Sequence, residues 1–90
     1  MKKKILIADK LIQPFEKVYK LKFNVECLWK IKTKNNSLEH EAVIVTGGFK
    51  TNKHFLKKFK NLKIVSVFGV GYDGVDVDYC NKNRIQVTNT

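Results

Sequence analysis

The strongest constraint on the fold is a set of three short apolar runs: Lys4–Ala8, Ala42–Thr46 and Ile64–Phe68. Such runs fit buried strands of a parallel sheet and are too short to span a membrane. Two more strands are predicted. One covers Phe23–Trp29, where apolar and polar residues alternate as in a strand near a sheet edge, and the other covers Ile85–Thr88.

Segments with helical character separate these strands. The first opens at Gln13-Pro14, because proline suits the first turn of a helix. Its predicted inner face consists of Phe15, Val18, Tyr19 and Leu21. The polar segment Lys30–His40 is predicted to form a loop.

Two further helices follow the third and fourth strands. Thr51 or Asn52 can cap the second helix, whose apolar stripe comprises Phe55, Phe59 and Leu62. Asp76 can cap a third, short helix from about Val77 to Asn83. The alternation of strands and helices predicts one α/β domain over residues 1–90, with a five-stranded parallel sheet and helices on both faces.

The chain is strongly basic, with 18 Lys and Arg against 8 Asp and Glu. This excess raises the hypothesis of a nucleic-acid-binding protein. However, only one of these basic residues is arginine, the residue that base readout and bidentate phosphate contacts favour. Lys53, Lys57 and Lys60 lie opposite the apolar stripe of the second helix. An ordinary solvated surface is therefore the favoured interpretation.

The cysteines and histidines form no motif for a disulfide scaffold or a metal site. Cys27 and Cys80 are expected to be buried free thiols. His40 lies in a polar loop and His54 in a lysine-rich helix, and without an evident acid partner both are expected at the surface. The N-terminal apolar run stops at Asp9, far short of a signal peptide, so a cytoplasmic protein is expected.

The segment Phe68–Asp76 carries three of the five glycines, directly after a predicted strand. Glycine lets backbone N–H groups converge on an anion such as a carboxylate, although a tight strand-to-helix connection explains the glycines equally well. The spacing matches neither GxGxxG nor a P-loop. A second pair, Gly47-Gly48, follows the preceding strand, and ligands of parallel sheets sit at the carboxyl ends of strands.

Residues 62–76, LKIVSVFGVGYDGVD, resemble the signature of the D-isomer-specific 2-hydroxyacid dehydrogenases. Residues 85–90, IQVTNT, resemble the stretch at which the family's chain leaves its first domain. Val43–Gly48 and the following helix are similar to the family's preceding strand and loop. The likeness is specific over residues 42–90 and rests mainly on element order over residues 1–41.

This resemblance implies a flavodoxin-like substrate-binding domain of an NAD(P)-dependent oxidoreductase that interconverts a D-2-hydroxy acid and a 2-oxo acid. In the family, the backbone amides of a Val-Gly pair hold the substrate carboxylate, which carries over to Val70 and Gly71. The family's loop at the position of Gly48 borders the same cleft, and this correspondence is weaker than that for Val70 and Gly71. Asp73 and Asp76 match motif positions and are interpreted as loop-fixing and helix-capping groups.

The family's catalytic groups and its NAD or NADP site lie in a second domain, and no residue of this chain matches them. No catalytic, cofactor-binding or metal-ligating residue is therefore assigned, and the chain alone is expected to be inactive and to bind no cofactor. The resemblance also implies that a helix from the far C-terminus normally covers one sheet face, which should otherwise expose apolar surface. A stand-alone small-carboxylate-binding or interaction module is the alternative, and a basic nucleic-acid-binding protein is less favoured.

One position departs from the family pattern. The family usually has glycine before the last strand, where it ends the helix in a left-handed conformation, and this chain has Arg84. Arginine in that conformation should cost about 1 kcal/mol, unless Asn83 adopts it instead.

Overall fold

Five parallel strands form one sheet in the computed structural model, which describes residues 3–31, 38–69, 71 and 73–89. The strands are β1 (Lys4–Ile7), β2 (Asn24–Cys27), β3 (Ala42–Thr46), β4 (Ile64–Phe68) and β5 (Gln86–Asn89). The α-helices are α1 (Glu16–Lys20), α2 (Lys53–Leu56) and α3 (Val77–Lys82), with 3₁₀ helices at Lys10–Phe15 and Leu28–Lys30. The strand order is β2-β1-β3-β4-β5. The predicted parallel α/β sheet is confirmed, with β2 at an edge.

The strand boundaries follow the sequence pattern closely. β3 and β4 have the predicted limits. β5 begins one residue later than predicted, because the Ile85 N–H closes the end of α3 by donating to the Cys80 carbonyl, 2.8 Å away. β2 is shorter than predicted, because Trp29 belongs to a 3₁₀ helix. The predicted loop Lys30–His40 falls largely on residues 32–37, which lie outside the described residues.

One face of the sheet packs against α2 and α3. Asn52 caps α2, since its side-chain oxygen accepts the Phe55 N–H at 3.0 Å. The three residues of the predicted stripe, Phe55, Phe59 and Leu62, are all buried. Only Phe55 lies in α2, however, because the helix ends at Leu56 and is shorter than predicted. Fully buried residues of three central strands meet this stripe and form the larger part of the core: Leu6, Val43, Val45, Val65 and Val67.

The opposite face carries the first helical segment, and its predicted inner face is largely wrong. Phe15, Val18 and Leu21 are 42%, 62% and 78% exposed. The helical segment begins at Lys10 as a 3₁₀ helix, which changes the face that each later residue presents. Buried Ile12 anchors the segment to the sheet instead, and only Tyr19 of the predicted set is partly buried against it.

An apolar groove of about 390 Å³ lies on this second face. Its lining includes Ile5, Ala42 and Ile44 from the sheet, with Tyr19 and Phe23 beside them. The groove lies on the sheet face opposite α2 and α3.

Arg84 adopts the left-handed conformation, with φ of 57°, whereas Asn83 has φ of −107°. The chain therefore accepts the backbone cost at arginine. Cys27 and Cys80 are buried free thiols, as predicted. Within the described residues, no helix has both the length and the apolar character needed to cross a membrane.

Candidate functional site

Two glycine-containing loops leave the sheet side by side. β3 and β4 pair in parallel with Thr46 opposite Phe68, so Gly47-Gly48 and the loop from Gly69 begin at the same edge. The Phe49 N–H donates to the Thr46 carbonyl, 3.1 Å away, and closes a turn over the first loop. Gly69 has φ of +127°, a backbone conformation that residues other than glycine rarely adopt.

The two loops are packed directly against each other. The Thr51 N–H donates to the Gly74 carbonyl at 2.6 Å, and the Asp76 N–H donates to the Thr51 carbonyl at 3.0 Å. A Cβ added to Gly74 would lie 2.1 Å from the Phe49 carbonyl oxygen and 2.8 Å from that of Gly47. Only glycine therefore fits at position 74. The sequence could not reveal this contact, since it joins two separate loops.

The predicted residues Gly48 and Gly71 lie on these two touching loops. A Cβ added to Gly47 would be 3.2 Å from the Gly71 carbonyl oxygen, so the first turn contacts the second loop. Gly48 is exposed and Gly71 partly exposed. Their N–H groups donate to no acceptor among the described residues. Free backbone N–H groups at such a place can bind an anion. Val70, the third predicted residue, lies outside the described residues.

Side chains hold the second loop at both ends. Asp76 caps α3 as predicted, since its Oδ1 accepts the Tyr79 N–H at 3.0 Å. Asp73 lies in the turn beside Gly71, with Oδ2 3.9 Å from where a Cβ on that glycine would be. The Asn89 side-chain amide donates to the Gly69 carbonyl at 3.2 Å. Sequence reasoning missed Asn89, although it ends a neighbouring parallel strand at the same edge.

The expectation of a surface position for His40 is wrong. This histidine is only 4% exposed, and its Nε2 lies 2.9 Å from Oε1 of Glu26. Its ring edge meets Phe59, with ring centroids 6.5 Å apart. The partner was hidden because β2 brings Glu26 from a distant part of the sequence. His40 precedes β3 and so lies at the sheet edge opposite the glycine loops, whereas His54 is exposed as predicted.

A charged cluster lies away from the glycine loops, between α1 and the end of β2. Glu16 pairs with Lys20 at 2.8 Å and with Lys30 at 3.3 Å. The hydrogen bond from Lys20 is the main cause that lowers the pKa of Glu16 to about 2. Burial raises the pKa of both Cys27 and Cys80. Both thiols are thus kept in the unreactive protonated form.

The described residues do not fit a dinucleotide or a metal. A dinucleotide site needs a glycine loop that opens a full helix after a strand, whereas α2 has four residues and α3 six. No three His, Cys, Asp or Glu side chains in the described part of the chain are grouped to ligate a metal ion.

Comparison with known proteins identifies the class of domain. A profile of the D-isomer specific 2-hydroxyacid dehydrogenase catalytic domain matches residues 4–90. A glyoxylate reductase of Thermococcus litoralis is 30% identical over all of this chain, which spans 29% of that protein. A 2-hydroxyacid dehydrogenase structure from Ketogulonicigenium vulgare superposes with a TM-score of 0.84 at 27% identity, covering all of this chain and 30% of that one.

A third relative agrees in fold. It is a Polaromonas protein described as an NAD-binding, D-isomer-specific 2-hydroxyacid dehydrogenase, with a TM-score of 0.70 at 19% identity over 97% of this chain and 29% of that one. The chain belongs to the D-isomer-specific 2-hydroxyacid dehydrogenase family. Named members of this family are oxidoreductases that act on CH–OH groups. The chain spans about three tenths of the length of these three relatives.

Proposed function

We propose that this chain is the substrate-binding domain of an NAD(P)-dependent oxidoreductase that interconverts a D-2-hydroxy acid and a 2-oxo acid. In this proposal the backbone N–H groups of Gly71 and Val70 hold the substrate carboxylate, and Gly48 borders the same site. The observation that carries the proposal is the contact between two glycine loops whose Gly48 and Gly71 N–H groups lack acceptors among the described residues.

The chemistry of these groups is binding and orientation. A carboxylate accepts hydrogen bonds from backbone N–H groups more strongly than a neutral acceptor does. Holding the carboxylate at Gly71 fixes the position of the adjacent 2-oxo carbon relative to the rest of the enzyme. The nicotinamide cofactor, held by a second domain, supplies the hydride. The 90 residues alone are therefore proposed to bind substrate without turning it over.

Family membership favours a small 2-oxo acid as ligand, since the Thermococcus relative is a glyoxylate reductase. We further propose a cytoplasmic location, because the two cysteines are unpaired, as is usual in reducing compartments. The partners in the complete enzyme are then the 2-oxo or 2-hydroxy acid and the NAD-binding domain.

Calorimetry of the chain with pyruvate, glyoxylate and NADH tests this function. We expect millimolar binding of the 2-oxo acids, because only one end of the ligand is held, and no binding of NADH. The Cβ of Gly71→Ala has room in the fold. In this proposal the added methyl group stands beside the N–H group that holds the carboxylate, so Gly71→Ala should weaken binding. The control is urea denaturation of the same Gly71→Ala variant, whose stability should match wild type because its Cβ makes only an ordinary contact; unchanged stability with weaker binding separates blocked access from loop distortion.

Two results would contradict the proposal. If no 2-oxo acid binds at a ligand concentration of tens of millimolar, the proposed carboxylate site is refuted. Micromolar affinity without nucleotide would instead support the stand-alone binding module, because a domain that relies on a second one to complete its site should not bind so tightly.

A further inference from the structure

We propose that Asp9 and Thr46 form a positioning pair for the candidate carboxylate site, an inference that rests on the proposed function. The Thr46 hydroxyl donates a hydrogen bond to Oδ2 of Asp9. Oδ1 of the same carboxylate accepts the Leu11 N–H at 2.9 Å. The pair joins the loop after β1 to the last residue of β3, across 37 positions of sequence.

The pair lies at the root of the first glycine turn. Thr46 immediately precedes Gly47-Gly48, and its carbonyl accepts the Phe49 N–H that closes the turn. Its side chain is tied to Asp9, while its backbone pairs with Phe68 of β4. Thr46 is therefore held by both its side chain and its backbone, which restricts the direction in which the following turn leaves the sheet.

The first turn contacts the second loop directly, so the position of the turn constrains the position of that loop. The Phe49 and Gly47 carbonyl oxygens lie so close to Gly74 that no Cβ fits between them. Gly47 also abuts the Gly71 carbonyl. A shift of the first turn must therefore displace the loop that carries Gly71 or open a gap beside it, because packed backbone does not deform continuously.

Both carboxylate oxygens of Asp9 already accept hydrogen bonds. They are thus occupied by Leu11 and Thr46, while the N–H groups of Gly48 and Gly71 donate to no acceptor among the described residues. Asp9 does not touch the ligand in this scheme. It acts through Thr46 and the turn, which makes it a positioning residue and not a catalytic one.

Thr46→Val tests the inference, because it removes the hydroxyl and keeps the shape of the side chain. Thr46→Ser restores the hydroxyl, and Thr88→Val is the control for a Thr-to-Val change in β5, which is separated from β3 by β4. Two quantities are measured on the 90-residue chain by NMR. They are the hydrogen-exchange rates of the Phe49 and Thr51 amides and the pyruvate affinity from the shift of the Gly71 amide.

We expect Thr46→Val to speed exchange at Phe49 and Thr51 by roughly tenfold, the loss of one hydrogen bond to a charged group. Pyruvate affinity should fall by about three- to tenfold. Thr46→Ser should restore both quantities, and Thr88→Val should leave both unchanged.

The possible failures are distinct. If wild type shows no pyruvate response, the proposed function fails, and this inference fails with it. If wild type binds pyruvate and Thr46→Val binds it equally well, the positioning role is refuted while the proposed function stands. The same holds if Thr46→Ser fails to restore affinity, since the hydroxyl then is not the cause.

Discussion

Replacing Gly74 by alanine is the sharpest perturbation of the packed glycine loops. The added Cβ would lie 2.1 Å from the Phe49 carbonyl oxygen and 2.8 Å from that of Gly47. Both neighbours are backbone atoms, so relief requires one loop to move by roughly 1 Å, a scale at which overpacking already costs energy. That movement also disturbs the 2.6 Å hydrogen bond from the Thr51 N–H to the Gly74 carbonyl.

The magnitude follows from these two effects. Overpacking costs about 1–3 kcal/mol, and a weakened backbone hydrogen bond adds about 1 kcal/mol. Gly74→Ala should therefore lower the free energy of unfolding by roughly 2–4 kcal/mol. For a domain of this size that corresponds to a fall in Tm of roughly 10–25 °C.

Urea denaturation followed by circular dichroism measures this effect. Gly48→Ala is the matched control, because its Cβ meets nothing within 4 Å and its φ is not left-handed. This control should stay within about 0.5 kcal/mol of wild type. A Gly74→Ala variant as stable as wild type, or a Gly48→Ala variant equally destabilised, would show that the loop contact is not as tight as the structure indicates.

Three further predictions concern stability and reactivity. The pKa of Glu16 is lowered from 4.5 to about 2 in the folded chain. Its ion pairs therefore stabilise the fold fully at a pH above 4.5, and this stabilisation is lost as the pH falls from about 4.5 to 2. The stability advantage of wild type over Glu16→Gln should therefore shrink across that range in urea titrations, and a constant difference would contradict the assignment. Arg84→Gly should raise stability by roughly 0.5–1 kcal/mol, because glycine relieves the left-handed strain, whereas Asn83→Gly should not; thermal melts decide. Cys80 should react with iodoacetamide at pH 8 far more slowly than glutathione and as fast in urea, since burial and the charge of Asp76 raise its pKa. Equal rates without urea would refute its protected state.

Local patterns were enough to predict much of the fold. The limits of β3 and β4 follow from uninterrupted apolar runs. The Asp76 cap also follows from its place directly before a helix. These features depend on neighbours in the sequence, which is why a single chain reveals them.

Features that depend on distant partners escaped prediction. His40 is buried because Glu26 of another strand meets its ring nitrogen. Val18 and Leu21 are exposed because Ile12, within an unforeseen 3₁₀ helix, anchors the segment instead. The hydrogen bond between Thr46 and Asp9 likewise joins the end of β3 to the loop after β1, which only the parallel sheet brings together.

The glycine site itself was predicted through family resemblance and only in part through chemistry. The glycines after β4 are equally compatible with a tight connection, and Gly74 does serve packing. The structure adds that Gly48 and Gly71 lie on two loops in contact with each other. Their N–H groups donate to no acceptor among the described residues. In the loop after β4, Gly74 is thus required for packing, whereas Gly71 is the glycine proposed to bind the carboxylate.

A residue-resolved NMR titration of the ¹⁵N-labelled chain with pyruvate locates the carboxylate site. We expect the amide signals of Gly71 and Gly48 to shift most and to saturate together in the millimolar range. Acetate, which lacks the 2-oxo group, should shift the same amides at higher concentration. Largest shifts in the apolar groove around Ile44 or at the cluster of Glu16 and Lys20, with the glycine amides unmoved, would contradict the account.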